Sequence, residues 1–166
     1  MKKTKEQVLS EIESAILGRY TLVEYIGCKN VLIADEYGII KTNINDIKRG
    51  YSFTINSAID KDSYAKNNIK ERFPELDLTN VRGIINGSSV CTVSNKYGEM
   101  SYTYNDLVLN KKTNLNIKSA TNKTSYFVNL CREIHGDKYD YSSIVYSRAK
   151  SKVKVICTDH GEFSVT

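Results

Sequence analysis

The chain has 166 residues, 40% hydrophobic and 26% charged, with a net charge of +5 at neutral pH. That balance excludes a disordered chain, and no apolar run reaches the roughly 20 residues a membrane-spanning helix needs. The basic N-terminus is interrupted by Glu6, Glu11 and Glu13 where a secretory signal would be apolar, so the reading is a cytoplasmic protein with no membrane partner.

In chain order, Val8, Ile12 and Ile16 recur at helical spacing and place an apolar stripe on a first helix. Tyr20–Tyr25 and Val31–Ala34 alternate as the strands of a hairpin turning at Gly27. "TNINDIKRG" reads as a short helix with Thr or Asn as N-cap and Gly50 as its stop. An extended piece, "SFTINSA", leads to the next helix. The series then restarts. Val81–Ile85 and Val90–Val93 are expected to form a second hairpin around Gly87, followed by a short helix in "TYNDLVLNK" and an extended "NLNIKSA". Phe127, Leu130, Cys131 and Ile134 mark another amphipathic helix stopped by Gly136. A third hairpin is expected from Ile144–Tyr146 and Val153–Ile156, turning through "SRAKS".

This restart is an internal repeat. "YTLVEYIGCKNVLIADEYGII", "LTNVRGIINGSSVCTVSNKYGEM" and "YSSIVYSRAKSKVKVICTDHGEF" share a β-rich run ending at Gly38, Gly98 and Gly161. "NDIKRGYSFTINSAIDKDSY" and "NDLVLNKKTNLNIKSATNKTSY" share Asn-Asp, Ile-x-Ser-Ala and Ser-Tyr. The fold class is therefore α+β, as tandem small helix–β-hairpin–short-helix repeats over 1–60, 61–122 and 123–166, the third stopping after its Gly-Glu-Phe. A unit of about 60 residues buries a marginal core alone.

The four cysteines, Cys28, Cys91, Cys131 and Cys157, form no C-x-x-C pair and read as reduced thiols. Cys157 and His160 have the C-x-x-H spacing of half a metal site, against the four ligands of a structural zinc. His135 with Asp137 and Asp140 reads as a helix end and a capped turn before it reads as an acid–base set. No phosphate loop, zinc-protease motif or carboxylate pair is present, so no catalytic residue is assigned. Cations recur beside the hairpins and short helices: Lys48 and Arg49, Lys111 and Lys112, and Arg148, Lys150, Lys152 and Lys154. Lys152 and Lys154 fall on one face of a strand, with Val153 and Val155 on the other. Such a pattern is either a solvated strand face or a track for phosphates. Most tyrosines sit at strand positions, with Tyr102 and Tyr104 expected to be the exposed ones.

"NKTSYFVNLCREIHGDKYDYSSIVYSRAKSKVKVICTDHGEF", from Asn122 to Phe163, resembles the repeats with an "IHGDKYDYS…VxVxCxxHGxF" signature found in phage and bacterial proteins of homing-endonuclease type. The resemblance implies zinc-ribbon-like or treble-clef-like units that recognise DNA ahead of a nuclease domain. It also implies that a C-x-x-H pair is completed by a later Gly-Cys-x-x-Cys. Cys157 and His160 match the first half and nothing here matches the second, so no cofactor is expected unless zinc is completed by a longer chain or in trans. At the matching places the first repeat has Ala34 and Tyr37 and the second Ser94 and Tyr97, where packing is expected to replace metal. The function implied is a DNA-binding recognition region of a phage homing-endonuclease-like protein, or a stand-alone relative, with double-stranded DNA as partner. The alternative is a small phage protein-binding module that inhibits a bacterial defence enzyme.

Overall fold

Thr4 opens the first helix, α1 (Lys5–Ile16), with a reciprocal cap: its hydroxyl accepts from the Gln7 N–H while the Gln7 side chain accepts from the Thr4 N–H. The helix buries Ile12 and Ile16. The computed structural model describes residues 3–110 and 115–165. It is a mixed α+β chain of small helices and antiparallel sheets. Its contacts gather into two compact units: the chain up to Pro74 together with Val81–Ser89, and Glu75–Asn80 together with the chain from Val90 onward.

In the first unit β1 (Thr21–Gly27), β2 (Asn30–Ala34) and β3 (Ile39–Thr42) form an antiparallel sheet in that order. Val31 and Ile33 alternate into the core from β2, and Ile40 joins them from β3. The short helix α2 (Ile44–Lys48), capped by Asn43, adds Ile44 and Ile47. A single 3-10 turn (Ile55–Ser57) precedes α3 (Lys61–Arg72), which Asp60 caps and which buries Tyr64, Ala65 and Ile69.

The second unit holds the two-stranded sheet of β4 (Val90–Asn95) and β5 (Gly98–Thr103), then α4 (Tyr104–Val108), capped by Thr103. A 3-10 turn (Ile117–Ser119) and α5 (Lys123–His135) follow. The chain ends in the sheet β6–β7–β8: Tyr139–Asp140, Val153–Cys157 and Gly161–Val165. Val153 and Val155 of β7 join Tyr141 and Ile144 from the segment between β6 and β7 in a core packed against Phe127, Val128 and Cys131 of α5. Cys28 is exposed, Cys131 half-buried, and Cys91 and Cys157 are buried; none is in a disulfide.

The helices and caps follow the sequence expectation, and two hairpins do not. Residues 81–85 form no strand, and β4 pairs with β5 instead. The Asp62 carboxylate accepts from the N–H groups of Gly83 and Ile84, which are then lost to any ladder. Gly83 also sits at φ 71°, outside strand geometry. Ile144–Tyr146 is likewise no strand, because the Tyr146 N–H is taken by the Thr124 hydroxyl. The hairpins of β4 and β7 turn instead at Gly98 and Gly161. Ile134 lies 65% exposed rather than in the core, and Tyr104 is buried rather than exposed.

Candidate functional site

The chemistry-bearing residues gather at the hairpin turns. In the β2–β3 turn Asp35 ends the buried alternation of β2, and its Oδ1 accepts from the N–H groups of Tyr37 and Gly38 at 2.9 and 3.1 Å. In the β4–β5 turn the Asn95 side-chain oxygen accepts from the Tyr97 N–H at 2.9 Å. In the β7–β8 turn Cys157 holds this place, its sulfur accepting from the backbone of Asp159 and His160. The strand registers therefore put Asp35 and Asn95, rather than Ala34 and Ser94, opposite Cys157. The third turn has one residue more between Cys157 and Gly161 than the second has between Asn95 and Gly98, which is why a gapless sequence comparison slips by one.

Cys157 Sγ lies 3.4 Å from His160 Nδ1. The imidazole of His160, and after it the N–H groups of Asp159 and His160, hold the Cys157 thiol below the usual thiol range. The separation suits a thiol–imidazole hydrogen bond. It also matches the edge of a tetrahedral zinc site, about 3.5 Å for Zn–S near 2.3 Å and Zn–N near 2.0 Å. The ligand atoms of Cys157, Asp159 and His160 all lie within 4.8 Å of one another. The donors thus fit two corners of a zinc site and offer a carboxylate as a third.

The tyrosines of the first two turns are packed against helices. The Tyr37 ring meets Tyr64 of α3 edge-on at 5.6 Å, and Tyr97 meets Tyr126 of α5 at 5.3 Å. Tyr64 donates to Asp35 Oδ2 at 2.7 Å, and Asn95 donates to the Tyr126 oxygen at 3.1 Å. Asn67 and Asn129 donate to the carbonyls of Tyr37 and Tyr97 at 2.9 and 3.0 Å. Neither asparagine was singled out from sequence, although Ser-Tyr-x-x-Asn-x-x-x-Glu stands twice in the chain, at Ser63–Glu71 and Ser125–Glu133.

The expected cations fall into three groups. Lys154 projects from the outer face of β7 and Lys152 is exposed just before its first residue, with Val153 and Val155 buried. Arg148 and Lys150 are exposed on the turn that leads into this strand. Lys154 pairs with Glu162 at 2.8 Å, and Lys48 with Glu11 at 2.6 Å, while Arg148, Lys150, Lys152 and Arg49 make no ion pair among the described residues. Lys111 and Lys112 lie outside the described residues. Asp140 accepts from the Ser142 N–H at 2.8 Å, which caps the turn after α5. No helix among the described residues is long and apolar enough to cross a membrane.

Residues 120–166, which carry this third turn, match the family described as a protein of unknown function (DUF723). Over 46 residues the chain is 41% identical to an uncharacterized protein of Acanthamoeba polyphaga mimivirus. The match covers 28% of this chain and 17% of the viral protein, so it spans less than a fifth of that relative's length. No solved structure matches.

Proposed function

We propose that the chain is a DNA-binding module that grips the duplex backbone with the cations of its third hairpin. It would serve as the recognition region of a homing-endonuclease-like protein of a phage or virus, or as a stand-alone relative of one. The observation that carries this reading is the group Arg148, Lys150 and Lys152. It is exposed, has no carboxylate partner among the described residues, and is set on the turn and lead-in segment directly before β7. Lys154 joins it readily. Its ion pair with Glu162 is solvent-exposed and weak, so it exchanges easily for a charge-assisted bond to phosphate. The 41% identity with a viral protein supports the viral association. In the same reading Cys157 and His160 would hold zinc only when further donors come from a longer chain or in trans, and zinc there would brace the turn.

Binding of the full chain to labelled duplex DNA at about 50 and 200 mM salt tests the reading. The expected result is binding that weakens steeply with salt. It is lost in a Lys150→Glu, Lys152→Glu, Lys154→Glu variant whose circular dichroism is unchanged. Absence of binding at the lower salt sinks the reading. The second reading, a protein-binding inhibitor of a bacterial defence enzyme, is supported by Ile134 and Val145, exposed at 65% and 78%. Its complex would keep its affinity across the same salt range.

A further inference from the structure

Residues 51–58 return along the outer edge of β3 and meet it where Ala58 bridges Ile40. Short of that bridge, strand and segment line a cavity of about 430 Å³, a size that suits a small molecule. Thr42 lines it from β3. The residue is 8% exposed, and its Oγ1 has no hydrogen-bond partner among the described residues. A buried hydroxyl in that state costs stability until something bonds it. Lys29 and Lys41 line the same cavity, and neither makes an ion pair among the described residues. Ser57 adds a second hydroxyl from the facing segment. Asp46 adds one carboxylate, whose Oδ2 accepts from Asn43 Nδ2 at 2.6 Å. Tyr51, 51% exposed, supplies an aromatic wall, with its N–H anchored on the Asp46 carbonyl at 3.2 Å.

The sheet of the second unit has the same local frame without this donor set. Met100 pairs with Val93 as Ile40 pairs with Ile33, and Ala120 bridges Met100 as Ala58 bridges Ile40. Two residues on from Met100, where β3 has Thr42, stands Tyr102. Its phenol oxygen accepts at 3.4 Å from the N–H of Asn116, which caps its 3-10 turn as Thr54 does in the first unit. Ser101 stands in place of Lys41, and Ser89 in place of Lys29. The second frame thus joins strand to segment with its own side chain and carries neither cation. The first frame sets a short hydroxyl and two lysines around open space, so the cavity is no requirement of the fold.

We propose that this cavity binds a nucleoside monophosphate. Two lysines and the hydroxyls of Thr42 and Ser57 match a phosphate monoester, which carries about −1.5 to −2 charge at pH 7. A phosphodiester carries a single charge, so the lysine pair selects the monoester. The Tyr51 ring offers its face to the base, and Asp46 accepts from sugar hydroxyls or from the amino group of a base. The inference does not rest on DNA binding by the third hairpin.

NMR titration of the isotope-labelled full chain with adenosine monophosphate tests it. The amide resonances of Lys41, Thr42 and Ser57 are expected to shift at millimolar nucleotide. Inorganic phosphate, adenosine and a dinucleotide with only a phosphodiester should each bind at least tenfold more weakly. Lys29→Gln combined with Lys41→Gln should lower the affinity at least tenfold with circular dichroism unchanged. Thr42→Val keeps the side-chain shape and removes the unbonded hydroxyl. It should weaken binding while the melting temperature of the free chain stays the same or rises, whereas a merely structural threonine would lower that temperature. Absence of shifts at these residues, equal binding of phosphate alone or of the phosphodiester, or affinity retained in the lysine double variant overturns the inference.

Discussion

Asp35, Asn95 and Cys157 perform one task with three different atoms: each presents a side-chain acceptor to the N–H groups of its turn. Asp35 also takes the Tyr64 hydroxyl, so Asp35→Ala strands two backbone donors and a phenol. The expected cost is about 2 kcal/mol, given the price of leaving half-buried donors without partners. Asp35→Asn should recover most of it, since Asn95 fills the same role in the second turn. Urea denaturation of the two variants measures the difference. Glu11 offers a pH signature. Hydrogen bonds from Lys3 and then Lys48 pull its carboxyl from an ordinary 4.5 down to about 2. A group depressed on folding stabilises fully above its unfolded value and loses that contribution as pH falls through the folded one. The melting temperature should therefore fall between pH 4.5 and 2 in the wild type, with a shallower fall in Glu11→Gln. At this scale the sequence made Cys157 and His160 visible through their spacing. It hid Asp35 and Asn95, because an Asp or Asn beside a turn glycine is ordinary, and its acceptor role depends on a turn length that only the strand register reveals.

Helices α1 and α5 were readable because apolar spacing, an oxygen-bearing cap and, for α5, a terminal glycine all agree on the same ends. Strands β3, β5 and β8 were not. Each begins at or just after a glycine and mixes exposed polar residues into a short run, so alternation alone carries little signal. Val81–Ile85 misled for the opposite reason. Its run is apolar because Val81 and Ile84 are buried, yet a side chain on α3 owns the N–H groups a ladder would need. The docking of α5 on the β4–β5 turn can be probed directly. Asn129→Ala removes one bond to the Tyr97 carbonyl and should cost about 1 kcal/mol, with faster amide exchange in that turn. The same change at Lys123, an exposed position of α5 whose side chain makes no hydrogen bond or ion pair among the described residues, should cost nothing measurable.

At the scale of the whole molecule the chain gathers into two compact units. The first compact unit takes Val81–Ser89 and leaves Glu75–Asn80 to the second. Val81 and Ile84 are 0% and 6% exposed, and a fragment ending at Pro74 would lose both. Residues 1–89 should therefore fold with native-like chemical-shift dispersion, while residues 1–74 should show a broadened spectrum and a lower melting temperature. Heteronuclear NMR of the two fragments decides the point. The graded burial of the four cysteines carries a further consequence. Cys28 stands open in the first unit, whereas Cys91 and Cys157 are shut inside the second and Cys131 is half shut. A thiol-reactive dye should modify Cys28 at once and the others only as fast as their surroundings breathe. The protein thus carries its own clock: one thiol starts the timing, and the other three record how often the β4 core, α5 and the third hairpin come apart.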